Sequence, residues 1–196
     1  AIIQAEKSGT ERLSYSTIYN LPEEEVKGLL VDMLEEDIEG QELCLSQFSV
    51  AMVNGKRASC LSSWIEGEHG DSSSLKAALL AHYLSIENLK YSLQFRSIFN
   101  DLRLQRIPGT LQLECVYSSS EFRGQGIVSS LIHNLAKQNK GKVKQAQLMV
   151  DGQNTGAMRA YEKIGFKVSL ETESTHELAR EILPSNKKCT MLMPIE

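Results

Sequence analysis

The order of apolar and polar residues along the first half of the chain predicts a helix, a hairpin and a long helical stretch. The segment NLPEEEVKGLLVDMLEED (20–37) has apolar residues at helical spacing, and its proline and three glutamates suit a helix N-terminus. Two strand-like runs at 45–67 flank Asn54-Gly55, the dipeptide favoured in two-residue hairpin turns. Residues 72–107 follow a helical pattern and predict two helices or one kinked helix, with a serine of HGDSSS as the cap. Residues 1–19 predict a short strand at each end of a polar loop.

From residue 110 onward the pattern changes to strand, helix, strand, helix, strand, strand. A strand–helix–strand unit implies a parallel pair with a right-handed crossover, whereas hairpins at either end are antiparallel. We therefore expect a single α/β domain over residues 1–196, built on a mixed twisted sheet with helices on both faces. The stretch 72–107 is a helical insertion before the strand TLQLECVYS (110–118).

Composition narrows the possible partners. The 196 residues carry a formal net charge of −4, which lacks the basic footprint that binding to a nucleic-acid backbone requires. The four cysteines are far apart and form no CxxC motif, so we expect buried free thiols in a reducing compartment. No apolar run approaches the ~18 residues of a membrane span, so we expect a cytoplasmic protein with no membrane partner.

The glycine-containing turn in SSSEFRGQGIVSSLI (118–132) is the main candidate for chemistry. The first N–H groups of a helix have no internal acceptors, and therefore form an anion site. A P-loop is excluded because the Lys-Ser/Thr pair is absent. A dinucleotide fingerprint stays open, since Gly124, Gly126 and Ser129 follow a strand and Asp151 ends the next one. However, five residues separate the strand from Arg123, whereas the dinucleotide turn follows its strand tightly.

EFRGQGIVSSLI together with NTGAMRAYEKIGF resembles the two signatures of the GNAT superfamily of acyl-CoA N-acyltransferases. The first segment is similar to the [QR]-x-x-G-x-[GA] loop of that family. The second is similar to its N-x-x-A-x-x-x-Y-x-x-x-G-F block, with Asn154, Ala157, Tyr161, Gly165 and Phe166 at the motif positions. The resemblance covers roughly residues 111 to 170.

This resemblance implies the transfer of an acetyl group from acetyl-CoA, used as co-substrate, to a primary amine of a small molecule or peptide. It requires no metal and no tightly bound cofactor, and a homodimer is one possible assembly. The residues expected to bind coenzyme A are Val116, Tyr117, Ser118, Arg123, Gly124, Gln125, Gly126, Ile127, Val128, Ser129 and Asn154. A non-catalytic acyl-CoA sensor and a nicotinamide or nucleotide enzyme are the alternatives.

The resemblance also implies the proton carriers. Tyr161 is the expected general acid, and Glu114 is the candidate base on the cofactor strand. Alternation along that strand predicts Glu114 on the same face as Gln112 and Val116. The acidic run EEDIEGQE (35–42) is expected to be a solvated helix end, and its acidic residues suggest a cationic acceptor.

Overall fold

The computed structural model describes residues 2–7 and 13–196, which fold around one six-stranded sheet. The helices are α1 (Ile2–Glu6), α2 (Ser14–Tyr19), α3 (Glu23–Glu35), α4 (Ser72–Tyr83), α5 (Ile86–Ser92), α6 (Arg96–Asp101), α7 (Ile127–Gln138), α8 (Thr155–Ile164) and α9 (Ala179–Ile182). The strands are β1 (Phe48–Val53), β2 (Lys56–Ile65), β3 (Leu111–Ser118), β4 (Gln145–Asp151), β5 (Lys167–Glu173) and β6 (Lys187–Pro194).

The strand order β1-β2-β3-β4-β6-β5 confirms the predicted mixed sheet. Strands β3 and β4 form the parallel pair, and the remaining neighbours are antiparallel. The hairpin turn is at Asn54-Gly55, where both residues have positive φ, as a type I′ turn requires. None of the helices within residues 2–7 and 13–196 is long and apolar enough to cross a membrane.

A break in the middle of the sheet separates β3 from β4. The two strands pair only from Leu111↔Ala146 to Leu113↔Leu148, although β3 runs on to Ser118. On the other edge of β3 the register to β2 shifts between Cys60 and Ser62, and Cys115 has φ +53°. This β-bulge bends β3 away from β4 and leaves the far end of β3 without a β4 partner.

The bulge also changes which face of the sheet the side chains of β3 occupy, compared with the prediction from simple alternation. Leu111 and Leu113 belong to the core under α7 and α8, and Val116 packs against the same core. Cys115 instead packs into the second core, which lies under α1 to α4. Because the extra residue inverts the alternation, Val116 does not share the face of Glu114, and that prediction was wrong.

The N-terminal residues were also wrongly predicted. The described parts of 1–19 form helices α1 and α2 instead of strands, whereas part of the predicted loop falls on residues 8–12, outside the described residues. Their β-branched residues favour strands only weakly, and packing into the α1–α4 core decides the outcome.

The helical stretch before β3 is more broken than predicted. The chain is extended at Leu84, and Ser85 caps a new helix. The new helix does not continue the apolar face of α4, and Ile86 is exposed. The cap of α4 is Asp71, whose side chain accepts a hydrogen bond from the Ser74 N–H, and not a serine.

Candidate active site

The separation of β3 and β4 opens a cavity of about 500 Å³, within the usual size range of small-molecule sites. Its walls come from both faces of the sheet. The α7–α8 side contributes Val116, Asn154 and Tyr161, whereas the α1 side contributes Glu114 and several further charged residues. The structure therefore brings the two predicted proton carriers, Tyr161 and Glu114, into one cavity.

The glycine turn lies beyond the end of β3 and leads into α7. Gly124 has φ +76° and Gly126, the residue before the helix, has φ +74°. No side chain caps this helix, and the first helical hydrogen bond runs from the Ser130 N–H to the Gly126 carbonyl. The N–H groups of Ile127, Val128 and Ser129 thus precede the helical ladder and are suited to an anion.

The space over the glycines is open. A side-chain carbon added at Gly124 or Gly126 would meet no atom within 4 Å, so the backbone of the turn is accessible. Arg123 is exposed and its Nε donates to the Ser118 carbonyl at 3.3 Å, which folds the guanidinium back toward the end of β3. Gln125 donates from Nε2 to the Glu121 carbonyl at 3.0 Å and braces the turn.

Asn154 lines the cavity, whereas Tyr117 and Ser118 at the end of β3 do not. The Asn154 side chain accepts a hydrogen bond from the Ala157 N–H at 3.1 Å and caps α8. Ser118 accepts a hydrogen bond from the Ser59 hydroxyl at 3.2 Å. The Tyr117 side chain lines a separate apolar groove between α1, α3 and the β1–β2 hairpin, so it does not share the cavity.

Glu114 is held by an arginine that the sequence did not mark as functional. Arg106 Nη2 donates to Glu114 Oε1 at 3.3 Å, and the guanidinium lies 5.3 Å from the ring centre of the buried Trp64. Burial raises the pKa of Glu114 above its ordinary value, although Arg106 opposes this rise. A carboxylate with a raised pKa is a better proton acceptor than a solvated one.

Tyr161 lies on the α7–α8 side of the cavity, opposite the charged residues of the α1 side. Its ring packs edge-on against Phe166, with ring centres 6.0 Å apart, and it contacts the α7–α8 core. Burial raises the pKa of the Tyr161 hydroxyl, and the nearby Glu114 charge raises it further. The phenol therefore stays protonated at neutral pH and can act as a proton donor.

The acidic run at 35–42 was only partly predicted correctly. Glu35 and Glu36 are exposed, but Glu42 is buried and paired with Lys76 at 2.6 Å and Arg106 at 3.5 Å. Burial opposes ionisation of Glu42, but the two cations outweigh it and lower its pKa to about 2. Glu35, Glu36, Asp37 and Glu39 do not line the cavity, which removes the basis of the predicted cationic acceptor.

We expect Glu42→Gln to lower the free energy of unfolding by about 3 kcal/mol at pH 7, because Lys76 loses its partner. The folded pKa is about 2 and the ordinary value 4.5, so this stabilisation is present above pH 4.5 and disappears as the pH falls toward 2. Urea unfolding at several pH values measures it, with the exposed Glu68→Gln as control. An equal loss at pH 3 and pH 7 would contradict the assignment.

One segment of the chain matches a known family, and the fold matches solved structures. Residues 102–175 match the family model described as FR47-like protein. The structure is similar to that of an N-acetyltransferase from Staphylococcus aureus Mu50, at 21% identity and a TM-score of 0.56, covering 85% of this chain and 81% of that one. It is also similar to another acetyltransferase, at 18% identity and a TM-score of 0.52, covering 91% and 85% of the two chains.

The FR47-like match overlaps the segment that carries the predicted GNAT resemblance, and the similarity to these structures confirms the predicted α/β fold. Both solved structures are acetyltransferases, and at 18% and 21% identity they show a shared fold. No curated protein matches the sequence significantly.

Proposed function

We propose that this protein transfers an acetyl group from acetyl-CoA to a primary amine. The observation that supports this most strongly is the combination of an uncapped helix N-terminus with the separated strands β3 and β4. The turn can bind a diphosphate through backbone N–H groups. The β4-facing edge of β3 after Leu113 offers backbone groups to the amides of the pantetheine arm.

The proposed cofactor site runs from the turn to the cavity. The diphosphate would lie at Gly124–Ser129, with Arg123 adding positive charge. The pantetheine arm would follow the backbone of Val116, Tyr117 and Ser118, and Asn154 would border it from α8. The thioester would then reach the cavity between Glu114 and Tyr161, and the amine would enter from the α1 side.

The chemistry requires a base that takes a proton from the ammonium and an acid that protonates the leaving thiolate. The ammonium of the acceptor gives one proton to Glu114 through a water molecule, and its neutral nitrogen attacks the thioester carbonyl. The C–N bond forms, the C–S bond of the tetrahedral intermediate breaks, and Tyr161 protonates the leaving thiolate. The second nitrogen proton restores Tyr161, and Glu114 releases one proton to solvent. The products are the N-acetyl amine and coenzyme A.

The proposed cofactor is tested by melting temperature with acetyl-CoA, coenzyme A, NAD and NADP in separate samples. A ligand at a hundred times its Kd adds about 2.7 kcal/mol of stability, which gives a measurable shift. We expect acetyl-CoA and coenzyme A to raise the melting temperature and the two nicotinamide cofactors to leave it unchanged. A shift with NAD alone would favour the dinucleotide alternative.

We expect Gly126→Asn to weaken acetyl-CoA binding at least tenfold, because a side chain would fill the open space over the turn. Asparagine tolerates positive φ, so the fold is less affected than by the β-branched valine. The matched control is Gly141→Asn, which follows the other end of α7, has φ +83° and is equally open. Calorimetry should show weaker binding only for Gly126→Asn. Unchanged affinity in both variants would place the diphosphate elsewhere.

A further inference from the structure

The charged side chains on the α1 side of the cavity are incompletely paired. Three carboxylates and three cations interact there: Glu6, Glu42, Glu114, Lys76, Arg106 and Lys188. Ion pairs join Lys76 to Glu42, and Arg106 to both Glu42 and Glu114. Within the described part of the chain, Glu6 and Lys188 have neither an ion pair nor a side-chain hydrogen bond, although both line the cavity.

The position of Lys188 on β6 directs it toward this charged wall. Its neighbour Cys189 belongs to the α7–α8 core, so alternation along the strand turns Lys188 to the opposite face. Burial lowers the pKa of Lys188, and the negative charge of Glu6 is the largest influence that opposes this change. Asp151, its register partner on β4, instead accepts a hydrogen bond from the Gln153 N–H at 2.8 Å.

An unpaired charge that is withdrawn from water is costly, and a ligand of opposite charge removes that cost. Lys76 and Arg106 are already neutralised by glutamates, whereas Lys188 is free to bind an anion. Glu6 and Glu114 stand on the same side of the cavity; Glu114 is paired with Arg106, whereas Glu6 has no ion pair among the residues that the structure describes and is suited to a cation. The free charges thus complement a molecule that carries both a carboxylate and an ammonium group.

We propose that the acceptor amine is an amino acid, whose carboxylate is bound by Lys188 while its amino group faces Glu6 and Glu114. This inference rests on the proposed acetyl transfer, since it assigns the substrate class of the same cavity. Lys188 is then a specificity-determining residue that binds the acceptor without taking part in proton transfer.

The test compares amino acids with the amines that differ only by loss of the carboxylate, such as phenylalanine with phenethylamine, tyrosine with tyramine and lysine with cadaverine. Release of coenzyme A from acetyl-CoA and calorimetric binding to the coenzyme A complex are both measured. We expect at least one amino acid to be preferred over its decarboxylated partner by 10-fold or more. In Lys188→Met its KM should rise about 10- to 100-fold, as loss of a charged hydrogen bond predicts.

The controls separate binding from other roles. Lys188→Arg should retain the preference for the amino acid, the exposed Lys167→Met on β5 should behave as wild type, and acetyl-CoA affinity should be unchanged throughout. The inference would be overturned if the wild type preferred the decarboxylated amines or bound neither class. It would also be overturned if Lys188→Met kept the same preference for the amino acid as the wild type. If the wild type binds the amino acid without releasing coenzyme A, and Lys188→Met loses that binding, the result supports the inference and counts against the transfer reaction.

Discussion

Replacing Tyr161 by phenylalanine is expected to lower kcat by about 100-fold or more, because general acid catalysis typically contributes 10²–10⁴-fold. The variant removes only the hydroxyl, so the ring still packs against Phe166 and the cavity keeps its shape. Affinity for acetyl-CoA should therefore stay nearly intact. The thiolate would have to leave without a positioned proton donor, so the loss should appear in kcat, not in binding.

Steady-state kinetics with an accepted amine, together with calorimetric binding of acetyl-CoA, measures this effect. The exposed Tyr91→Phe, which removes a hydroxyl outside the cavity, is the matched control and should be unaffected. Wild-type kcat in Tyr161→Phe would remove the assignment of this residue as general acid.

Replacing Glu114 by glutamine is expected to lower the catalytic rate, and the size of this loss should depend on pH. An alkylammonium acceptor has a pKa near 10.4, so at neutral pH the base must remove a proton before attack. We expect a rate loss of about 100-fold near pH 7 that shrinks toward high pH, where the amine is already neutral. Because burial raises the Glu114 pKa, the wild-type rate should fall as the pH drops through a value above 4.5.

The pH–rate profiles of wild type and Glu114→Gln over pH 5 to 10 measure this difference. Glutamine keeps the size of the side chain, and Arg106 retains Glu42 as partner, so the cavity should persist. The control Glu68→Gln changes an exposed loop residue. Parallel profiles for wild type and Glu114→Gln would show that another group, or solvent, accepts the proton.

The sequence predicts the second half of this fold well because its local signals agree with one another. The segment from β3 to α8 combines clear periodicity with glycines that the backbone requires, such as Gly165 with φ +116° at the end of α8. The N-terminal helices α1 and α2 are short, and packing determines them. The stretch 72–101 has continuous helical periodicity in its sequence, but the chain starts a new helix at the cap Ser85.

The charged wall of the cavity could not be predicted from the sequence because its members are far apart in the chain. Glu42 looks like part of a solvated acidic run, and Arg106 lies in a loop before β3. The bulge at Cys115 has no glycine to mark it, so simple alternation misplaced Val116. The one local signal was Lys188, a cation at the start of a strand whose other face is apolar.

The most direct test of the proposed reaction is the release of coenzyme A from acetyl-CoA in the presence of a broad amine panel of amino acids, polyamines, aminoglycosides and peptides. Free thiol and acetylated amine should form in equal amounts with at least one amine, well above the rate with water alone, and both should fall together in Tyr161→Phe. Saturable binding of acetyl-CoA with no thiol released by any amine would contradict the proposed acetyl transfer and would favour the alternative of an acyl-CoA sensor.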